Sequence, residues 1–265
     1  MRETLWRQLR NLKILRKLYA FPIATRPMKV LSYILLPTNE KRKLKVQSGP
    51  GEGLTLILNP RWEIPLWEGR YEIVIERTIV ENLGPNKVFY DVGAAFGFYS
   101  LLAARAGARV FAFEPDSQNA ESFEYHATLN SLQSKMELIR SAVTSWDGNG
   151  QLEPASQERG HGNAHVLKGN DPVEGAKSIH CTTLDYFAER NPLPQLIKID
   201  VEGSESDVFS GAKVLFDRCR PVVICEIHDP QNEKFVINWF EGRNYRFRWI
   251  LGENAYPKHL IANPE

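Results

Sequence analysis

From Lys87 onward, apolar and polar positions follow a regular rhythm along the chain. Short apolar runs at residues 88–92, 110–113, 136–139, 196–199 and 222–227 are too short for buried helices and rich in β-branched and aromatic side chains, so they predict strands. Between them, residues 99–106, 117–129 and 204–215 repeat apolar positions every three or four residues and predict helices. Apolar strands separated by helices predict a mostly parallel sheet covered on both faces. The tail predicts two more strands, 245–250 and 259–262, joined at Gly252-Glu253-Asn254. Upstream, the alternation Leu54-Thr55-Leu56-Ile57-Leu58 predicts a strand, and residues 71–83 a helix ending at Gly84-Pro85. Residues 145–180 break the rhythm, being rich in Gly, Asn, Gln and His, and predict an inserted loop or hairpin on the ligand side.

The first 50 residues are of another kind. Leu5, Leu9, Leu12, Leu15 and Tyr19 recur at helical spacing with basic residues between them, predicting an amphipathic helix. Pro22, Pro27 and Pro37 and the run Lys41-Arg42-Lys43 then cut the segment into short pieces. The expected organisation is a basic, partly helical appendage over 1–50 and one α/β domain over 51–265.

Charge sharpens this division. Residues 1–45 hold 12 Lys and Arg against 2 Asp and Glu, so the arm carries +10, while the remainder, 21 against 30, carries −9. A basic arm of this kind docks on an acidic body, on a second copy of the chain, or on a membrane surface. No apolar run reaches the length of a spanning helix, and Arg10, Lys13, Arg16 and Lys17 interrupt anything resembling a signal sequence. Cys181, Cys219 and Cys225 have neither zinc-site spacing nor the density of a disulfide scaffold, which suits a reducing, cytoplasmic setting. The acidic body lacks an aromatic-basic platform, so nucleic acid is not an expected partner.

The chemistry gathers where the predicted strands end. Asp91-Val92-Gly93-Ala94-Ala95-Phe96-Gly97 follows the first of the regular strands and opens a helix, the place where an α/β sheet meets its ligand by backbone. A dinucleotide loop requires glycine at 93, 95 and 98, whereas the chain has Gly, Ala and Phe. That disfavours a nicotinamide-dependent oxidoreductase and favours a cofactor without phosphates, of which S-adenosylmethionine suits this architecture. Glu114 ends the next strand, 23 positions after Asp91, where an acid can accept both ribose hydroxyls. Ala142, beyond the third strand, is placed to border an adenine. Asp200 and Glu202 leave the fourth strand, with Glu205 in the following helical turn, and Glu226 and His228 leave the fifth at the same end. A histidine there can serve as a base near neutral pH. Two carboxylates and a histidine also admit a divalent metal, but no specific ligand spacing predicts one.

Taken together, DVGAAFGFYS, FEPD, CTTLDYF, IKIDVEGSESDVFSGA and CEIH resemble the FkbM family of S-adenosylmethionine-dependent methyltransferases, as does the Tyr71-Glu72 pair in the lead-in. The resemblance covers about residues 62–262. It implies a class I Rossmann-like methyltransferase fold, with a seven-stranded sheet whose last strands form an antiparallel edge, and O-methylation of a sugar, glycan or natural-product hydroxyl. Asp91, Gly93, Phe96, Gly97, Glu114 and Ala142 would line the cofactor, and Asp200, Glu202 and His228 would face the acceptor. Ala95 departs from the Asn of many relatives, removing a side-chain hydrogen bond. A methyltransferase fold retained for binding without turnover is the non-enzymatic alternative, and self-association is compatible with either.

Overall fold

The computed structural model describes residues 40–60, 62–153, 166–168, 174–252 and 255–265. The amphipathic segment 5–19 and the middle of the insert lie outside these residues. The chain divides into two compact units, with Tyr71 ending the first and Glu72 opening the second.

In the first unit, β1 (Arg42–Lys45) pairs antiparallel with β2 (Thr55–Leu58), and the short helix α1 (Ile64–Glu68) follows. The basic run read above as punctuation is therefore in part a strand. Lys43 and Lys45 take its solvent side, which is how charge protects an edge strand from further pairing.

The second unit contains α2 (Ile73–Asn82), β3 (Val88–Val92), α3 (Phe98–Ala106), β4 (Arg109–Phe113), α4 (Ser117–Leu129), β5 (Met136–Ile139) and β6 (Ser141–Val143). It continues with β7 (Gly148–Leu152), β8 (Val166–Lys168), β9 (Lys177–Thr182), α5 (Leu184–Ala188), β10 (Leu196–Ile199), α6 (Glu205–Ser210) and α7 (Lys213–Cys219). The last elements are β11 (Val222–Ile227), α8 (Pro230–Glu241), β12 (Tyr245–Leu251) and β13 (Lys258–Pro264).

Seven strands form one sheet in the order β12-β13-β11-β10-β3-β4-β5. All neighbours from β11 to β5 are parallel, and β13 and β12 close the other edge antiparallel. This is the arrangement that the resemblance implies. The chain leaves β3 toward β4 and β5, then returns to lay β10 on the other side of β3. The strand order reverses at the β3–β10 seam, so ligands are expected beyond the carboxyl ends of these two strands.

Period-two alternation assigns the faces. Tyr90, Phe111 and Phe113 point to one side, where they meet Phe187 of α5 edge-on at centroid distances of 5.4, 5.4 and 4.9 Å. Each such pair contributes about 0.5–1.5 kcal/mol beyond area burial. Phe209, Phe216, Trp239 and Phe240 extend this layer under α6, α7 and α8. The other face carries Phe89, Asp91, Lys198, Ile224 and Glu226 and is covered from the β3 side by α3.

Two sequence expectations are corrected here. Residues 204–215 form two helices, because Gly211 packs so closely on the Thr144 carbonyl that a Cβ would stand 2.2 Å from it. Asp185 anchors the break, its N–H donating to the Gly211 carbonyl and its carboxylate accepting from Leu215 N–H. The insert is more than a loop or hairpin, since its described parts join β6 in a four-stranded sheet ordered β6-β9-β7-β8.

Candidate functional site

The turn after β3 holds its shape through its own amides. Gly93 and Ala94 N–H both donate to the Phe113 carbonyl, Ala95 N–H to Glu114 Oε2 at 2.8 Å, and Gly97 N–H to the Ala94 carbonyl. Those four donors are thus committed within the protein rather than aimed at a phosphate, the arrangement a dinucleotide loop would need. Gly93 has φ +78°, and a Cβ there would stand 1.8 Å from the Asp200 carbonyl oxygen, so its glycine welds the turn to the end of β10. Gly97 serves packing rather than ligand approach, because a Cβ would lie 2.5 Å from the Phe123 ring of α4. Ala95 holds φ +47°, a left-handed conformation in which Asn is more comfortable than Ala.

Glu114 is 6% exposed at the end of β4. Its Oε2 accepts from Ala95 N–H, and its Oε1 accepts from Asp116 N–H at 2.9 Å and from Asn119 Nδ2 at 3.5 Å. Burial raises its pKa, and these backbone bonds oppose the rise. Each oxygen of an ionised carboxylate takes two hydrogen bonds, so Oε2 retains capacity toward a hydroxyl, and on Oε1 the long Asn119 bond is the one a second hydroxyl would replace. Asp116 also caps α4 by accepting from Gln118 and Asn119 N–H. Phe96 is half-buried, with His126 of α4 bonded to its carbonyl and set edge-on to its ring. Ala142 is buried on β6, in register with Cys181 of the small sheet.

A second group lies along one face of the sheet at the same end. Asp91 is fully buried, and its Oδ2 accepts from Ser100 Oγ at 2.6 Å, while its Oδ1 has no partner among the described residues. Burial pushes its carboxyl upward, partly opposed by Lys198. Lys198, in register with Asp91, donates to Asp200 Oδ2 at 2.9 Å and sits over the Tyr99 ring. Burial alone would lower its pKa, but Asp200 and Asp91 hold it raised.

His228 stands at the centre of the carboxylates. Its Nδ1 is 2.7 Å from Glu205 Oε1, and its Nε2 is 3.3 Å from Glu202, 3.4 Å from Glu226 and 3.9 Å from Asp200. Glu226 lies between two imidazoles, with His259 Nε2 at 2.8 Å from its other oxygen. Glu72, which accepts from the Tyr99 hydroxyl, is 3.7 Å from His259. Burial would lower the pKa of His228, but hydrogen bonds to Glu205 and Glu226 raise it to about 10. These carboxylates favour the charged ring, which alters the reading of His228 as a free base. Glu202, raised to about 7 by burial and by its carboxylate neighbours against the pull of His228, is the group whose affinity falls in the working range of a general base.

The model of the methyltransferase FkbM domain matches residues 91–247. The chain belongs to the FkbM methyltransferase family. A curated relative is the hexuronic acid methyltransferase AglP of Haloferax volcanii, 29% identical over 178 residues, which span 64% of this methyltransferase and 69% of that protein. Among solved structures, an FkbM methyltransferase from Methylobacillus flagellatus KT aligns with TM-score 0.49 and 13% identity, covering 76% of this chain and 60% of that one. The precorrin-6y C5,15-methyltransferase of Geobacter metallireducens GS-15 aligns at 0.47 and 11%, covering 74% and 90%. For this methyltransferase the strand order itself carries the fold.

The structure brings Asp200, Glu202 and His228 together as expected and sets Glu114 against the β3 turn. Sequence reasoning undervalued Glu205, assigned there to a favourable first helical turn; it is fully buried against His228. It passed over Lys198 and His259. The available signal was alternation: Lys198 lies between inward Ile197 and Ile199, and a lysine buried on a central strand needs an anionic partner.

Proposed function

We propose that this protein is an S-adenosylmethionine-dependent O-methyltransferase acting on a sugar or glycan hydroxyl. The observation that carries the reading is Glu114, buried at the end of β4, oriented by two backbone donors, with acceptor capacity left on Oε2 and only the long Asn119 bond to displace on Oε1, beside a turn whose amides are turned inward. Such a carboxylate suits a ribose diol and such a turn suits a ligand without phosphate. The buried, unpartnered Asp91 Oδ1 adds an acceptor suited to a cationic amino group. Glu114 and Asp91 would hold the cofactor above the turn that Gly93 and Gly97 shape, with Phe96 and Ala142 as its apolar borders.

When bound, S-adenosylmethionine supplies an electrophilic methyl group on a sulfonium, which departs as a neutral thioether. The protein's own task is alignment and the acceptor's proton. Glu202 receives that proton as the acceptor oxygen forms its new bond to carbon. His228 and Lys198 keep the neighbouring carboxylates occupied, leaving Glu202 with the affinity suited to the role. The sugar acceptor is supported by the relative named as a hexuronic acid methyltransferase.

The test is turnover. Purified protein with labelled cofactor and a panel of glycosides, including uronic acids, should yield label on an oxygen, and Glu202→Gln should lower kcat by about 100-fold or more. Label on nitrogen, or full kcat in Glu202→Gln, would refute the assignment.

A further inference from the structure

The carboxylates around His228 outnumber the cations available to them. Asp91, Asp200, Glu202, Glu205, Glu226 and Glu72 converge on the carboxyl edge of β3, β10 and β11, and they face Lys198, His228 and His259. Even with both imidazoles charged, negative charge is in excess, and two of these acids, Asp91 and Glu205, are fully buried.

We infer that Asp200, Glu226 and His228 form a binding site for a divalent cation of the Mg²⁺ or Mn²⁺ class. One ligand atom from each of the three lies within 4.8 Å of the others. His228 Nε2 stands 3.4 Å from Glu226 Oε1 and 3.9 Å from Asp200 Oδ1. Ligands about 2.1 Å from an octahedral ion stand about 3.0 Å apart when adjacent and about 4.2 Å apart when opposite, and the two separations from His228 Nε2 fall between these values. The donor set, two carboxylates and one imidazole, suits a hard to borderline cation and leaves positions for water or substrate oxygen.

A separate observation points to the same occupant. Glu205 is completely buried, its Oε1 meets His228 Nδ1, and its Oε2 has no hydrogen-bond partner among the described residues. A buried carboxylate with an idle oxygen is costly unless positive charge stands close by. A cation that takes the place of the proton on His228 Nε2 supplies that charge through the ring, in the carboxylate–histidine–metal arrangement where the outer carboxylate fixes the tautomer and aims the other nitrogen. The neighbouring group Glu72, Glu226 and His259 lacks this support, since His259 Nδ1 has no partner among the described residues.

The site deepens the proposed function and, for its role though not for its existence, rests on it. A cation beside Glu202 would hold the acceptor oxygen and make its proton easier to remove, and it would let a negatively charged sugar approach a surface that otherwise repels it.

The experiment is titration of Mn²⁺ into chelator-stripped protein, read by the loss of the free-ion electron paramagnetic resonance signal, without cofactor or acceptor. One Mn²⁺ per chain should bind saturably below about 1 mM, with affinity falling about tenfold or more in both Asp200→Asn and His228→Ala. The exposed-acid control Glu137→Ala should bind as wild type. Folded protein without saturable uptake, or uptake unchanged in Asp200→Asn, would overturn the inference. Asp200→Asn opens no cavity and decides the matter if His228→Ala does not fold. Failure of the methyltransferase reading would appear separately, as absent binding of S-adenosylhomocysteine with Mn²⁺ uptake intact.

Discussion

Replacing Gly93 by alanine probes how the turn after β3 is built. The new Cβ would stand 1.8 Å from the Asp200 carbonyl oxygen and 2.9 Å from its carbon, against the ordinary contact of 3.4–4 Å. The carbonyl is poorly placed to yield, because Asp200 N–H is bonded to Val92 in the β3–β10 ladder, and Gly93 is itself tied to Phe113. The residue also holds φ +78°, which costs a side-chain-bearing residue about 1–2 kcal/mol. Steric overpacking adds about 1–3 kcal/mol, giving roughly 2–5 kcal/mol in all. At about 2–4 °C per kcal/mol for a protein near this size, the melting temperature should fall by about 4–20 °C. Gly84→Ala is the internal control, since nothing lies within 4 Å of its added Cβ, and it should change stability by less than about 0.5 kcal/mol. Urea denaturation of both variants measures the difference. Displacement of the turn also moves Ala95 N–H from Glu114, so cofactor affinity should fall in Gly93→Ala even below the melting transition. A Gly93→Ala protein within about 0.5 kcal/mol of wild type would refute the close packing on which the site depends.

Other substitutions test other parts of the site. Lys198→Met keeps the length of the side chain but strands Asp91 and Asp200 without their cation, and should cost about 3–5 kcal/mol in denaturant unfolding; Lys198→Met with Asp200→Asn should recover part of it. Asp116→Ala removes the cap of α4 and should cost about 0.5–2 kcal/mol at neutral pH. Lys177 and the α4 amides hold the Asp116 carboxyl below its usual 3.8 despite partial burial, so its contribution is complete above that value and is lost as the pH falls through the lowered one. The stability gap between wild type and Asp116→Ala should therefore narrow in acid, and a gap that widens would contradict the sign.

The central sheet was legible because burial on both faces leaves a continuous apolar signature in β3, β4, β10 and β11, and strand ends could be counted from it. Asp116 was equally readable as a cap, since capping depends on residues three positions apart. The helix break at Gly211 was not, because its cause is the Thr144 carbonyl, remote in sequence. β1 was missed because a basic edge strand looks like a polar linker, and the small sheet because Gly148 to Leu152 pairs with partners that the local pattern does not reveal. Helix α8 carried its own signal, an Asp229 cap followed by Pro230, and went unused. In the site, Asp200, Glu202 and His228 could be placed by position at strand ends. Their protonation could not, since it follows from Glu205 and Glu226, which reach His228 from different elements.

Calorimetric titration of the intact protein with S-adenosylhomocysteine addresses the central claim most directly. The account predicts a one-to-one binding heat with micromolar affinity, weakened about 100-fold in Glu114→Ala with the fold retained, and no heat with NADH. Folded protein that gives no heat with S-adenosylhomocysteine, or a Glu114→Ala variant that binds it as tightly as wild type, would contradict it.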